Sequence, residues 1–356
     1  MNAYCHACRR GNPRLVNCSN KGTCIVINFS PSSIDINHPS RDTWIDYAKA
    51  IGIILVVYGH VVRGIKSITP QEISPILTFI DKIIYSFHMP LFFFIAGIFF
   101  YKSFEKYGYK GILKNKVCVI LYPYILWSLI QGGIELLSSQ YTNHSITAED
   151  ILTLWEPRAQ FWFLYALFFC FLVAASIRLI FSNHQHIIVI MLLAATLFIY
   201  RDLLLFNTTM KLISKSYIYF ELGVFYTLIK NNHHFNKYIL LLTATILIVS
   251  QTLESRVQPL LYAVTGISIL ILLAKTIERK YQSETLRIIG MASISIYLMH
   301  IIFGSGVRVI LTHCLHIQNI SIHIMAGMFF GIALPTLAYM VITRYKINWI
   351  YSAPCK

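Results

Sequence analysis

The chain has 356 residues, of which 56% are apolar and only 13% are charged. Soluble domains carry about 25% charged residues, so this composition excludes an ordinary soluble enzyme. The formal net charge is +15, but the basic residues are scattered over the connecting segments and form no groove or recognition helix. This distribution argues against a nucleic-acid partner and is typical of loops that face anionic lipid headgroups.

The first forty residues lack the long apolar runs of the rest of the chain. They contain the pair Cys5-His-Ala-Cys8, and such a pair can begin a zinc site. The next two cysteines, Cys18 and Cys24, have a wider spacing that does not complete the pattern. We therefore interpret residues 1–40 as a poorly ordered leader, and we expect no cleavable signal sequence in it.

Beyond the leader, the apolar residues come in runs of about 17–25, the length that crosses about 30 Å of hydrocarbon as a helix. They predict an all-α, polytopic membrane helix bundle with about ten transmembrane helices. This bundle occupies residues 41–345, a short tail follows at 346–356, and the lipid bilayer is the partner of its outer surface. The predicted spans are 44–62, 83–101, 117–137, 161–181, 186–204, 214–230, 238–254, 257–274, 288–307 and 322–343.

Ten spans place both termini on the same side of the membrane. Of the 30 lysine and arginine residues, 20 fall in segments on the side of the termini, 9 fall on the other side, and Lys49 lies inside a predicted helix. Lysine and arginine are enriched in cytoplasmic loops. We therefore predict a multi-pass protein with both termini in the cytoplasm.

Ionisable residues inside apolar helices are energetically expensive and mark candidate functional positions. Lys49 and His60 are eleven residues apart, which places them on one face of the first predicted helix and about 16 Å apart along its axis. Asp46 shares that face and can pair with Lys49. The alternative interpretation is that Asp46 and Lys49 are interfacial, with the lysine extending its ammonium group to the headgroups.

Two more ionisable residues lie inside later spans. His88 is near the outer end of the second predicted helix, and the short connection between the first two helices can bring it towards His60. An ordinary interfacial histidine is the alternative. Glu221 lies in an apolar helix, so it should face the interior of the bundle and be paired or protonated.

Two polar and aromatic clusters complete the candidate positions. Arg158 precedes Trp162 in an aromatic run that is typical of interfacial anchors but can also stack against a sugar. Tyr297 and His300 share a helix face, where a hydrogen-bonded packing histidine is the alternative. A neutral histidine in a low dielectric keeps a basic nitrogen, which suits a general base or a transient acyl carrier. The histidines lack the spacing of a metal site, so no metal is expected.

Four of these patterns, in this order, resemble the acyltransferase-3 family of bacterial membrane O-acyltransferases, especially its fucose 4-O-acetylase and O-antigen or exopolysaccharide acetylase type. The resemblance covers residues 41 to 343, with lysine at a basic position where many members carry arginine. The motifs are Asp46-x2-Lys49-x10-His60, Phe87-His88-Met89-Pro90-Leu91-Phe92-Phe93 with Gly97, Phe161-Trp162-Phe163-Leu164, and Ser295-x-Tyr297-Leu298-x-His300.

The resemblance implies transfer of an acyl group, usually acetyl, from cytoplasmic acetyl-CoA to a sugar hydroxyl of a cell-surface polysaccharide or its lipid-linked precursor. It places the chain in the cell inner membrane and indicates no oligomeric state. Lys49 and the lysines of 102–116 would meet the CoA phosphates, and His60 would act as general base or acyl carrier.

The residues expected to act in this reaction fall into two groups. The catalytic candidates are His60, Lys49, Asp46, His88 and Glu221. The substrate-binding candidates are Arg158, Trp162, Tyr297 and His300. A proton-coupled transporter or flippase for a glycan or small molecule is the alternative function, because buried histidine, glutamate and lysine also make proton relays.

Overall fold

The computed structural model describes residues 17–18, 24–25, 42–68, 73–139, 146–181, 186–203, 207–229 and 256–354. In the unit Met1–Asp42, β1 (Asn17–Cys18) pairs antiparallel with β2 (Cys24–Ile25). Most of the predicted leader and the predicted span 238–254 lie outside the described residues.

The second unit, Thr43–Lys356, is built from α-helices, which confirms the predicted all-α class. Five-residue π-helical turns extend α3 at its beginning and α10 at its end. The helices are α1 (Trp44–Lys66), α2 (Pro75–Lys116), α3 (Tyr122–Leu137), α4 (Ala148–Leu152), α5 (Trp162–Ile180), α6 (Ile187–Ile199), α7 (Thr208–Ile229), α8 (Gln258–Lys280), α9 (Glu284–Met291), α10 (Ser293–Val309) and α11 (Ile320–Arg344).

Six helical stretches of the described residues are long and apolar enough to cross a membrane. They contain α1, α2 with α3, α5, α8, α10 and α11, so the chain is a multi-pass membrane protein. The apolar helix α6 has 13 residues, which is about 20 Å and less than the hydrocarbon thickness. The total of ten spans stays a prediction.

One of these stretches, 63 residues long, covers the second and third predicted spans and the lysine-rich segment 102–116 between them. A straight helix of that length would extend about 95 Å. However, Asp81 near its start lies 3.4 Å from Arg63, and Glu135 near its end lines the same cavity as Arg63, so the chain must reverse direction. Gly108 has non-helical backbone angles, with φ 63° and ψ −174°, which glycine adopts without a Cβ clash. The predicted loop 102–116 is therefore helical on both sides of this single residue.

Helices α2 and α7 approach each other closely through two glycines. A Cβ atom on Gly97 would overlap the backbone carbonyl of Phe220, and one on Gly223 would overlap the carbonyl of Phe94. Small residues at such crossings are typical of membrane helix interfaces, because they let the two backbones approach. This crossing brings the aromatic side chains of α2 and α7 into one core cluster with those of α5.

The described part of the predicted tail packs against the bundle. The Trp127 indole N–H donates to the carbonyl of Ile350 at 2.9 Å, and the Ala353 amide donates to the carbonyl of Cys118 at 3.1 Å. The Tyr351 hydroxyl donates to Ser295 Oγ at 2.8 Å. The chain after α11 therefore folds back onto α3 and α10.

Candidate active site

A cavity of about 650 Å³ lies at one end of the helix bundle. It is formed by the C-terminal ends of α1, α3 and α10 and the N-terminal ends of α5 and α11, which the alternating helix directions bring together. Its size is that of a small-molecule site. Its ionisable lining residues are His60, Arg63, Glu135, Arg158, His300, Arg308 and His323.

Two of the predicted histidines meet in this cavity. The ring centroids of His60 and His300 are 5.0 Å apart, with 64° between the ring planes. His60 comes from α1 and is half-buried, whereas His300 comes from α10 and is buried. Both residues are candidates from the sequence, although His88, rather than His300, was expected to approach His60.

The hydrogen bonds of His300 define its tautomer. Its Nδ1 lies 3.0 Å from the carbonyl oxygen of Ile296 and 2.9 Å from that of Tyr297. Carbonyl oxygens only accept, so Nδ1 carries the proton and Nε2 keeps a lone pair. This Nε2 is buried without a hydrogen-bond partner, and His60 makes no hydrogen bond within the part of the chain that the structure describes. The pair therefore offers unengaged ring nitrogens to a substrate.

A polar network forms one wall of the cavity. The Gln160 amide donates to Gln131 Oε1 at 2.6 Å, and the Gln131 amide donates to Glu135 Oε1 at 2.8 Å. Arg158 donates from Nη1 to Glu135 Oε2 at 3.2 Å. Behind this wall, the Tyr297 hydroxyl donates to the backbone carbonyl of Gln160 at 2.5 Å. Arg158 therefore lines the cavity, whereas Tyr297 supports the wall and is not among the described lining residues.

Arg63 and Arg308 lie outside the predicted spans, where they would be loop charges, but both line the cavity. Arg63 lies on α1, where its Nε donates to the Gly59 carbonyl at 2.9 Å and lies 3.4 Å from Asp81 Oδ1. Arg63 is three residues after His60, so the two side chains lie on the same face of a helix. This spacing could have identified Arg63 from the sequence. Arg308 lies on α10, at a helical position just past the predicted span.

The predicted pair of Asp46 and Lys49 is confirmed, with 3.9 Å between Lys49 Nζ and Asp46 Oδ1. Asp46 is buried, and Gly290 of α9 leaves room for its carbonyl oxygen. The pair lies in the first two turns of α1, whereas His60 is near the other end of that helix. The described cavity lining does not include Asp46 or Lys49. A function of this pair would therefore be at the opposite end of the bundle from the cavity.

The prediction that Glu221 is interior and paired is also confirmed. Its carboxylate is fully buried, Oε2 lies 3.1 Å from Arg178 Nη2, and Oε1 accepts a hydrogen bond from the Tyr217 hydroxyl at 2.5 Å. Arg178, which was counted among the 20 basic residues on the side of the termini, is instead buried within α5. Glu221 is absent from the described residues that line the cavity.

His88 and Trp162 are also missing from the described lining. His88 is buried, and its Nδ1–H donates to the Ile84 carbonyl at 2.7 Å, while its ring packs 5.5 Å from that of Tyr85. The Trp162 ring packs 6.4 Å from the Phe93 ring. Both side chains therefore lie in the aromatic packing of the bundle.

Sequence similarity relates the chain to known proteins. The profile of the acyltransferase-3 family, described as an acyltransferase domain, matches residues 42–340. A stretch of 136 residues is 28% identical to nodulation protein NolL of Sinorhizobium fredii (strain NBRC 101917 / NGR234) and covers 38% of this chain. The matched stretch spans only 36% of that relative's length. No solved structure matches the chain.

Proposed function

This chain belongs to the acyltransferase-3 family and is an acyltransferase, and on that premise we propose that it moves an acyl group, expected to be acetyl, from cytoplasmic acyl-CoA to a sugar hydroxyl. The acceptor is a cell-surface polysaccharide or its lipid-linked precursor. The proposal places the protein in the cell inner membrane with both termini in the cytoplasm. The observation that carries it is the contact of His60 with His300 at the cavity.

The proposed transfer uses the free nitrogens of this pair. The sugar oxygen attacks the thioester carbonyl carbon while a nitrogen of His60 takes the hydroxyl proton. A C–O bond forms, the C–S bond breaks, and the CoA thiolate takes the proton from the imidazolium to leave as a thiol. The bundle around the cavity limits the access of water to the thioester, which disfavours hydrolysis.

A covalent route uses the same two residues. His60 first takes the acyl group and CoA leaves as the thiolate, and the sugar hydroxyl then displaces the imidazole. The second step needs a separate base, and the lone pair on His300 Nε2 is positioned to supply one. Both routes require His60.

The donor and the acceptor approach from opposite ends of the bundle in this proposal. The cavity lies at the end that the charge distribution predicts to be outside. Lys49 lies at the other end of α1, about 16 Å from His60 along the axis, a distance that an extended pantetheine arm can cover. The lysines of 102–116 lie towards the same end as Lys49 and supply positive charge for the CoA phosphates.

The test is acyl transfer by the purified protein in lipid nanodiscs. We expect labelled acetyl-CoA and an acceptor glycan to give an acetylated glycan and free CoA thiol. His60→Ala should lower the rate by about 10²–10⁴, and His300→Ala should also impair it. The matched control is His186→Ala, because this histidine packs against Phe181 and the described cavity lining does not include it.

Two results would contradict the proposal. One is an acetylation rate near that of the wild type in His60→Ala at equal protein levels. The other is glycan movement across the membrane that needs no acyl-CoA, which would favour the transporter alternative. Label retained on the wild-type protein without acceptor, and lost in His60→Ala, would identify the covalent route.

A further inference from the structure

The three arginines that line the cavity differ in their partners. Arg158 lies 3.2 Å from Glu135 Oε2, and Arg63 lies 3.4 Å from Asp81 Oδ1. Arg308 lines the same cavity and is only partly exposed, yet no residue that the structure describes accepts a hydrogen bond from it or forms an ion pair with it. The cavity therefore contains one guanidinium group that lacks a counterion in the described chain.

The position of this guanidinium is defined by a glycine of α1. A Cβ atom on Gly64 would lie 2.8 Å from Arg308 Nη1, so the guanidinium lies directly against the backbone of α1 at this residue. Gly64 is four residues after His60, on the same helix face and about 6 Å along the axis. Arg308 therefore reaches the cavity about one helical turn from the His60 imidazole.

A partly buried guanidinium without a counterion favours an anionic ligand. Removing a charge from water is costly unless an opposite charge and hydrogen bonds compensate for it. A neutral sugar offers hydroxyl groups but no charge. A carboxylate or phosphate offers two oxygens that match the planar guanidinium, and such charge-assisted pairs are short and strong.

We propose that Arg308 binds an oxyanion of the acceptor, a carboxylate or phosphate group on the sugar, and thereby presents a neighbouring hydroxyl to His60. Binding of the anionic sugar rests on Arg308 alone, and only the presentation to His60 rests on the proposed function. The acceptor class is thus an acidic glycan rather than a neutral one. A hexuronic acid or a sugar phosphate carries its charge and its free hydroxyls on one ring, a spacing of the order of one helical turn.

Binding can be measured without any acyl transfer, which separates this proposal from the proposed function. The purified protein in phosphatidylcholine nanodiscs is titrated with methyl glucuronide, glucose 1-phosphate and methyl glucoside at constant ionic strength. The readout is the thermal unfolding midpoint. We expect at least one of the two anionic sugars to stabilise the protein, with an affinity roughly 10- to 100-fold higher than that of the neutral glucoside.

The variants locate this preference on one residue. Arg308→Gln should abolish the difference between anionic and neutral sugars, and Arg308→Lys should keep part of it, because lysine retains the charge but loses the planar fork. Arg344→Gln is the matched control, because it removes the same charge from an exposed position at the end of α11. This control should keep the full preference.

Three outcomes would overturn the inference. The first is equal stabilisation by all three sugars, and the second is a preference that survives in Arg308→Gln. The third concerns lipid phosphate as the source of the oxyanion. If phosphatidylglycerol nanodiscs stabilise the wild type but not Arg308→Gln, and neither anionic sugar has an effect, the ligand of Arg308 is a lipid headgroup and the acidic-acceptor proposal is wrong.

Discussion

The side chains of the candidate site divide into those that can contact a substrate and those that position others. His60 and His300 have unengaged ring nitrogens in the cavity. Tyr297 is a positioning residue, because its hydroxyl donates to the Gln160 backbone carbonyl in the cavity wall. Both Tyr297 and His300 belong to one motif, yet a single turn of α10 gives them different surroundings.

Tyr297→Phe tests this positioning role. The change keeps the ring but removes one of two donors to the Gln160 carbonyl, which keeps the hydrogen bond from the Trp162 amide, so the loss is about 0.5–1.5 kcal/mol. We expect the unfolding temperature to fall and the cavity wall to loosen, so that KM for the acceptor rises more than kcat falls. An unchanged KM with a kcat reduced as strongly as in His60→Ala would instead assign Tyr297 to the chemical step.

Glu221 is the candidate whose predicted catalytic role the geometry favours least. Its carboxylate pairs with Arg178 and Tyr217, deep between α5 and α7. Glu221→Gln would leave the Arg178 guanidinium buried without a counterion, which costs about 3–5 kcal/mol when one partner of a buried pair is removed. We therefore expect low protein levels and a lowered unfolding temperature for this variant.

The double variant Arg178→Met/Glu221→Met separates the two interpretations. Replacing both charges by apolar groups of similar volume removes the burial penalty, so stability should recover. We expect acyl transfer to recover with it. A stable double variant that remains inactive would assign Glu221 a direct part in the reaction.

At the scale of helices, the crossing of α2 and α7 depends on two glycines that pack against each other's backbone. A Cβ atom at either position would overlap a carbonyl oxygen of the facing helix. Because both elements belong to the aromatic core cluster with α5, a shift at the crossing would displace α5 and Arg158, which lies near its beginning. A side chain at either glycine is therefore expected to change the cavity indirectly, by moving α5.

We expect Gly97→Ala and Gly223→Ala each to lower the unfolding temperature and the yield of folded protein, because the helices must separate to admit the methyl group. The matched control is Gly133→Ala on α3, where a Cβ atom meets nothing within 4 Å. Alanine is favoured over glycine inside a helix by about 1 kcal/mol, so this change should be neutral or stabilising. Equal behaviour of the three variants would show that the crossing does not limit stability.

At the scale of the whole molecule, the cavity and the Asp46–Lys49 pair lie at opposite ends of α1. In the proposed reaction, one substrate arrives at each of these two ends. The predicted orientation assigns the cavity to the outside. That assignment rests on the distribution of lysine and arginine between the two sides. Arg178 no longer contributes to the cytoplasmic count, because it is buried in α5.

Thiol labelling in intact cells tests this orientation, in a background where the exposed Cys314 is replaced by serine. Ser138→Cys at the cavity should react with a membrane-impermeant maleimide. Lys110→Cys, next to the chain reversal at Gly108, should react only after permeabilisation. The reverse pattern would place the cavity, and His60 with it, on the cytoplasmic side.

The sequence by itself determined the features that depend on neighbouring residues. Apolar runs of membrane length predict the helices, because each backbone group in lipid must be satisfied within its own helix. The three-residue spacing of Asp46 and Lys49 predicts their pairing, because helix periodicity alone brings them together. The motifs around His60 and His300 were sufficient to indicate the family.

Only the tertiary structure decided which of these residues share a site. His60 meets His300 because α1 packs against α10, and helix periodicity carries no information about contacts between helices 240 residues apart. Arg63 and Arg308 were missed because each is the first residue after an apolar run, whereas the backbone stays helical for further residues and turns both guanidinium groups into the cavity. The partner of Glu221 was missed because Arg178 and Glu221 lie on different helices, and only their packing brings the two side chains together.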